Sequence, residues 1–102
     1  MKPTRLRFLV FAIILAGVIT GVAAGETYYV ITANAGSGGS IVPPEDVLVL
    51  QNTSEDFYII PNPGYQIEDV VVNGISVGPR SVYTFYDVQF NQSITAIFTL
   101  VT

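Results

Sequence analysis

A chain of 102 residues, half of them apolar and none of them cysteine, histidine or tryptophan, has room for one small domain and excludes a disulfide framework and Cys/His zinc sites. The formal charge of −4 is unevenly spread: Lys2, Arg5 and Arg7 open the chain, and from Glu26 onward eight acids face one base, Arg80, a balance of −7. A body of that sign repels phosphate backbones, which excludes nucleic-acid binding.

Residues 1–25 have the outline of a secretory signal: a basic start, the apolar run Phe8 to Ala16, a softer run from Gly17, and the small residues Ala23-Ala24-Gly25. Cleavage is expected after Ala24 or Gly25. The competing expectation is an uncleaved anchor, since the uncharged run from Phe8 to Gly25 reaches the minimum of about 18 residues for a spanning helix and its basic flank stays inside. On either reading the remainder, residues 26–102, is exported, and any membrane contact runs through residues 1–25.

From Thr27 onward β-branched and aromatic residues alternate between turn signals, and no helical period persists, so the body is expected to be all-β. Tyr28 to Ala35 reads as the first strand. Gly36-Ser37-Gly38-Gly39 reads as a flexible turn; a phosphate loop needs a helix N-terminus behind it, and Ser40-Ile41-Val42-Pro43-Pro44 follows instead. Further strands are expected at Val47–Leu50, Glu55–Ile60, Tyr65–Val72, Ile75–Val77, Ser81–Tyr86 and Ser93–Val101, which amounts to about six to seven short, mainly antiparallel strands. Asn73-Gly74 between apolar runs predicts a type I′ hairpin, with Val72 facing Ile75 and Val71 facing Ser76. Tyr65 and Ile67 fall out of phase with Val70 and Val72, and a β-bulge near Glu68-Asp69 repairs the phase.

The order Gly38-Gly39-Ser40-Ile41, Phe57-Tyr58-Ile59-Ile60-Pro61, Gly64-Tyr65, Val70-Val71-Val72-Asn73-Gly74, Tyr83-Thr84-Phe85, Val88, Ile94 and Phe98 resembles the divergent internalin B-type repeat, an extracellular β module of microbial surface proteins. The resemblance covers about residues 28 to 100. It implies a compact β domain, β-grasp-like or sandwich-like, serving as a stalk, spacer or adhesion element. This chain carries one copy, and it has Tyr58 and Ile60 where the family commonly shows threonine.

Catalysis has little to work with. Without histidine or cysteine, and with no lysine after Lys2, the Ser–His, Cys–His and Ser–Lys pairs cannot be assembled. The acidic doublets Glu45-Asp46, Glu55-Asp56 and Glu68-Asp69 remain, but adjacent strand residues point to opposite faces, so a doublet in a regular strand cannot bring both carboxylates to one ion. Only the expected bulge at Glu68-Asp69 escapes that rule. No enzyme activity, cofactor or metal is expected. Asn52-Thr53-Ser54 and Asn91-Gln92-Ser93 fit the N-glycosylation pattern in predicted loops of an exported domain; the alternative is asparagine capping its local backbone.

Stepping by two assigns Tyr29, Ile31, Ala33 and Ala35, Phe57 and Ile59, Tyr65 and Ile67, Tyr83 and Phe85, and Ile94 to Leu100 to an inward face. Tyr58, Ile60, Val71 and Ile97 then point away from it. Either a loop or second sheet covers them, or they form a contact surface for a neighbouring module, an identical chain or a ligand. The expected function is that of a non-catalytic, cell-surface or secreted module with a protein or surface glycan as partner. The alternative is a carbohydrate- or other ligand-binding domain using exposed tyrosines.

Overall fold

A computed structural model of the chain describes residues 25–102, and every regular element among them is a β-strand. The signal or anchor segment expected at residues 1–25 lies, but for Gly25, outside the described residues. The strands are β1 (Tyr28–Ala35), β2 (Gly39–Val42), β3 (Glu45–Leu50), β4 (Glu55–Pro61), β5 (Tyr65–Val72), β6 (Ile75–Ser76), β7 (Val82–Phe85) and β8 (Gln92–Leu100). They form a five-stranded sheet, in the order β3-β1-β8-β5-β6, and a three-stranded sheet, β2-β4-β7. The three-stranded sheet is antiparallel; the larger one is mixed, because β1 and β8 run parallel while every other pairing is antiparallel.

Eight strands replace the expected six to seven, and the addition is β2. Its glycines read as a turn, yet Gly39 is in the ladder, opposite Pro61 of β4. A glycine within a strand marks a close approach. Here the ring of Phe98 lies over Gly39 and the ring of Tyr65 over Gly38, each where a Cβ would otherwise sit. The glycines leave room for the rings that close this end of the core.

The two sheets share one core. Ile41, Phe57, Ile59 and Phe85 from the smaller sheet meet Ile31, Val47, Val49, Val70, Val72, Ile94, Ala96 and Phe98 from the larger, with Val88 supplied by the loop before β8. Phe85 stands edge-on to Phe57, at 5.6 Å between ring centroids, and to Tyr83, at 5.0 Å. Such pairs contribute about 0.5–1.5 kcal/mol each beyond their buried area. The inward assignment holds through most of each strand and fails at two strand ends: Ala35 is exposed and Leu100 is 62% exposed.

The central hairpin forms in the expected register, Val71 opposite Ser76 and Val72 opposite Ile75. Asn73 and Gly74 both take positive φ, 51° and 82°, the requirement of a type I′ turn. The bulge is where the phase demanded it. Ile67 pairs with Phe98 and Asp69 with Ile97, so Glu68 is the extra residue. Its consequence is visible in Asp69, whose Oδ1 accepts hydrogen bonds from the Val70 N–H at 2.8 Å, the Ser76 hydroxyl at 2.8 Å and the Gly78 N–H at 3.1 Å. That carboxylate ties the bulge to the returning chain. β6 is only two residues long at the sheet edge, which leaves Ile75 68% exposed rather than on the buried face with Val70 and Val72.

Candidate functional site

Alternation decides which side chains β4 offers to solvent. With Phe57 and Ile59 buried, Tyr58 and Ile60 point outward and are 49% and 48% exposed. Register then adds neighbours on either side. Val42 of β2 lies opposite Tyr58, and so does Val82 of β7, giving a row Val42–Tyr58–Val82 across all three strands. All three are exposed, with Ile60 one step along β4. The next row carries Asp56 opposite Thr84, whose hydroxyl donates to Asp56 Oδ1 at 2.7 Å. Where β2 ends, Val42, Pro43, Ser54, Glu55, Asp56 and Tyr58 line an open depression of about 340 Å³. Arg80, just ahead of β7, lies with its guanidinium carbon 5.5 Å from the Tyr83 ring centre, a cation–π distance.

Val71 and Ile97 are elsewhere. They point outward from the five-stranded sheet, Val71 opposite Thr95 and Ile97 opposite Asp69, on the far side of the core from Tyr58 and Ile60. The fold therefore brings the four outward positions together only in pairs: Tyr58 with Ile60, and Val71 with Ile97. Pointing away from the core is a property they share, but two sheets around one core have two outward faces. The far face is also more polar where Val71 and Ile97 stand, with Thr95, Thr99, Asp69 and Gln66 around them. Towards β3 it carries a small apolar cluster, Leu48 buried with Tyr28 and Val30 packed against it. Tyr28 also donates its hydroxyl to Glu26 Oε1 at 3.1 Å. Burial, that hydrogen bond and the nearby Glu26 charge raise the phenol above its ordinary value.

Val42 and Val82 were not singled out from the sequence, although the signal for Val82 was there, since inward Tyr83 and Phe85 require outward Val82 and Thr84. Val42 carries none, because no strand is expected between the Gly36–Gly39 turn and Pro43-Pro44.

The acidic doublets are dispersed by the pleat. Glu45 opens β3 at φ 61° while Asp46 accepts the Thr32 hydroxyl at 2.9 Å. Glu55 is buried and Asp56 faces out. Glu68 is the exposed bulge residue and Asp69 serves the backbone. Among the described residues no three carboxylates converge as metal ligands would.

Both glycosylation candidates are exposed, and both engage their side-chain oxygens within the fold. Asn52, at φ 69°, accepts a hydrogen bond from the Gln89 side chain, while its N–H donates to Val88 O at 3.0 Å. Asn91 Oδ1 accepts the Val30 N–H at 2.8 Å, so it ties the approach to β8 to β1. Asn73 does more than turn. Its N–H donates to Ser93 O at 3.0 Å and its Oδ1 accepts the Ser93 N–H at 2.9 Å, docking the hairpin tip on the start of β8. No protein-family model, curated protein or solved structure matches this chain.

Proposed function

We propose that the chain is an exported, non-catalytic β module, secreted or held at the cell surface, that works by contact through the outward face of its three-stranded sheet. The observation that carries this reading is the in-register row Val42–Tyr58–Val82 with Ile60 beside it, large apolar side chains where a solvated sheet face has polar ones. The likeness to internalin B-type repeats agrees with a role as spacer, adhesion or protein-interaction element and with an extracellular site of action. Tyr58 and Ile60, where that family commonly has threonine, are what makes this copy adhesive rather than inert. Val71 and Ile97 are secondary, on a face whose surroundings are polar. The test is to replace Tyr58 and Ile60 with threonine in the full chain and follow sedimentation and thermal unfolding. Association that disappears with little change in stability supports a contact face; a large loss of stability in an unchanged monomer makes these residues part of the fold and removes the reading.

A second reading, binding of a surface glycan, is favoured by one feature: the depression beside Tyr58 combines an aromatic ring with Ser54 and Asp56, the mixture that stacks on a sugar ring and accepts from its hydroxyls. A glycan array probed with the parent chain and with Tyr58→Thr separates the two.

A further inference from the structure

β1 and β8 run parallel, and their shared register begins at Ile31 opposite Gln92 and ends at Ala35 opposite Ala96. The chain therefore enters β1 at one end of the pair, at Tyr28, and leaves β8 at the other, at Leu100. Ends so placed matter under load. Tension between them draws β1 and β8 in opposite directions along their common axis, so all the hydrogen bonds of the ladder are strained together. A parallel pair pulled apart from one end opens one bond at a time.

The sheet order places this pair in the path of the load. In β3-β1-β8-β5-β6 the entering strand belongs to the β3-β1 part and the leaving strand to the β8-β5-β6 part, and the β1–β8 ladder is the seam between them. Each strand is held on its other side by a further ladder, β1 to β3 from Tyr28 to Ala33 and β8 to β5 from Ile94 to Leu100. Ile31 and Ala33 of β1 and Ile94 and Ala96 of β8 are buried in the core shared with the smaller sheet, which keeps water from competing for the seam's bonds on that face.

The seam is also longer than strand pairing alone makes it. Past the end of β1 the Gly36 N–H donates to Ala96 O at 2.9 Å. Stepping back by two turns the N–H groups of Asn34, Thr32 and Val30 to the same side. The acceptor for the Val30 N–H is a side chain, Asn91 Oδ1 at 2.8 Å, from the residue just ahead of β8.

We propose that the domain is a load-bearing link, in which β1 and β8 form a clamp that is sheared by tension between the two ends of the body, with Asn91 as its outermost fastening. This function is independent of the contact face on the smaller sheet, because it needs nothing bound to Tyr58 or its row.

Single-molecule pulling of the full chain in two directions tests it. In the first, handles fused ahead of Met1 and after Thr102 apply tension across the clamp. In the second, the chain carries Ser37→Cys, at an exposed position of a chain with no cysteine of its own, and is pulled between that thiol and the handle after Thr102. This opens the pair from the end at Ala35 and Ala96. At equal pulling speed the first direction is expected to need about threefold more force, since forced unfolding reports the barrier along the direction pulled. Asn91→Ala lowers the force in the first direction and leaves the second unchanged, and Asn91→Asp, which keeps an oxygen acceptor, restores it. Equal forces in the two directions, or a lower force in the first, overturn the clamp. A force that Asn91→Ala leaves unchanged in the first direction, or lowers alike in both, overturns the place given to Asn91 in it.

Discussion

The ring of Phe98, in β8 of the larger sheet, covers the backbone of Gly39, in β2 of the smaller one, so closely that a Cβ on Gly39 would overlap it. This contact joins the two sheets, and Phe98 is only 8% exposed there. Gly39→Ala is expected to cost about 1–3 kcal/mol, the usual penalty of overpacking a filled site. Urea unfolding should show a lower midpoint with an unchanged slope, because the same surface is still exposed on unfolding. A midpoint equal to the parent's would mean the ring moves aside freely.

The Asn73-Gly74 turn is expected to be equally sensitive, for a different reason. Both residues hold positive φ, and a β-branched side chain at position 74 meets backbone strain rather than a neighbour, since nothing lies within 4 Å of a Cβ added there. Gly74→Val should cost on the order of 1–3 kcal/mol. For a domain of this size that lowers the melting temperature by roughly 4–8 °C per kcal/mol. An unchanged melting temperature would contradict a turn that sets the hairpin's register.

Asp69 distinguishes an acceptor from a charge. Its Oδ1 receives three hydrogen bonds, two of them from backbone N–H groups at the bulge and at Gly78. Asp69→Ala removes the acceptor and is expected to cost about 1–3 kcal/mol, whereas Asp69→Asn keeps a carbonyl oxygen there and should cost clearly less. Equal losses in equilibrium unfolding would show that the negative charge, and not the acceptor, holds the bulge.

Alkaline stability should report on Tyr28. Burial, its hydrogen bond to Glu26 and the Glu26 charge raise its phenol above the ordinary value of 10.0. The unfolded chain then loses this proton at lower pH than the folded one and binds fewer protons above pH 10, so stability falls as pH rises through that range and is intact below it. Tyr28→Phe is expected to flatten part of this alkaline loss, measured as unfolding free energy against pH. A slope unaffected by the substitution would contradict the assignment.

Local chemistry made much of this fold legible. Asn73-Gly74 announced its own turn, the phase slip between Ile67 and Val70 announced a bulge, and the alternation around Phe57 and Ile59 separated inside from outside, because each is a property of neighbours along the chain. What could not be read depends on partners far apart in sequence. Nothing near Gly39 says that the ring of Phe98 will lie on it, so the first residue of a strand reads as the end of a turn. The parallel pairing of Ile31–Ala35 with Gln92–Ala96 joins the two ends of the body, and neither end carries a mark of it. Tyr58 and Val71 both alternate outward, yet only the assignment of β4 and β5 to different sheets shows that they face opposite sides. Asn91 fits a glycosylation motif, while its bond to the Val30 N–H becomes visible only when β1 and the loop before β8 are adjacent.

The central claim is that Tyr58 and its row are covered by a partner where the protein works. Hydroxyl-radical footprinting of the full chain, purified and on intact cells of its native host, tests it most directly. Tyr86 and Phe90, 77% and 58% exposed in the loop before β8, serve as internal references. The account predicts that oxidation of Tyr58 falls on the cells relative to the purified chain while Tyr86 and Phe90 react alike in both; equal oxidation of Tyr58 in the two settings would contradict it.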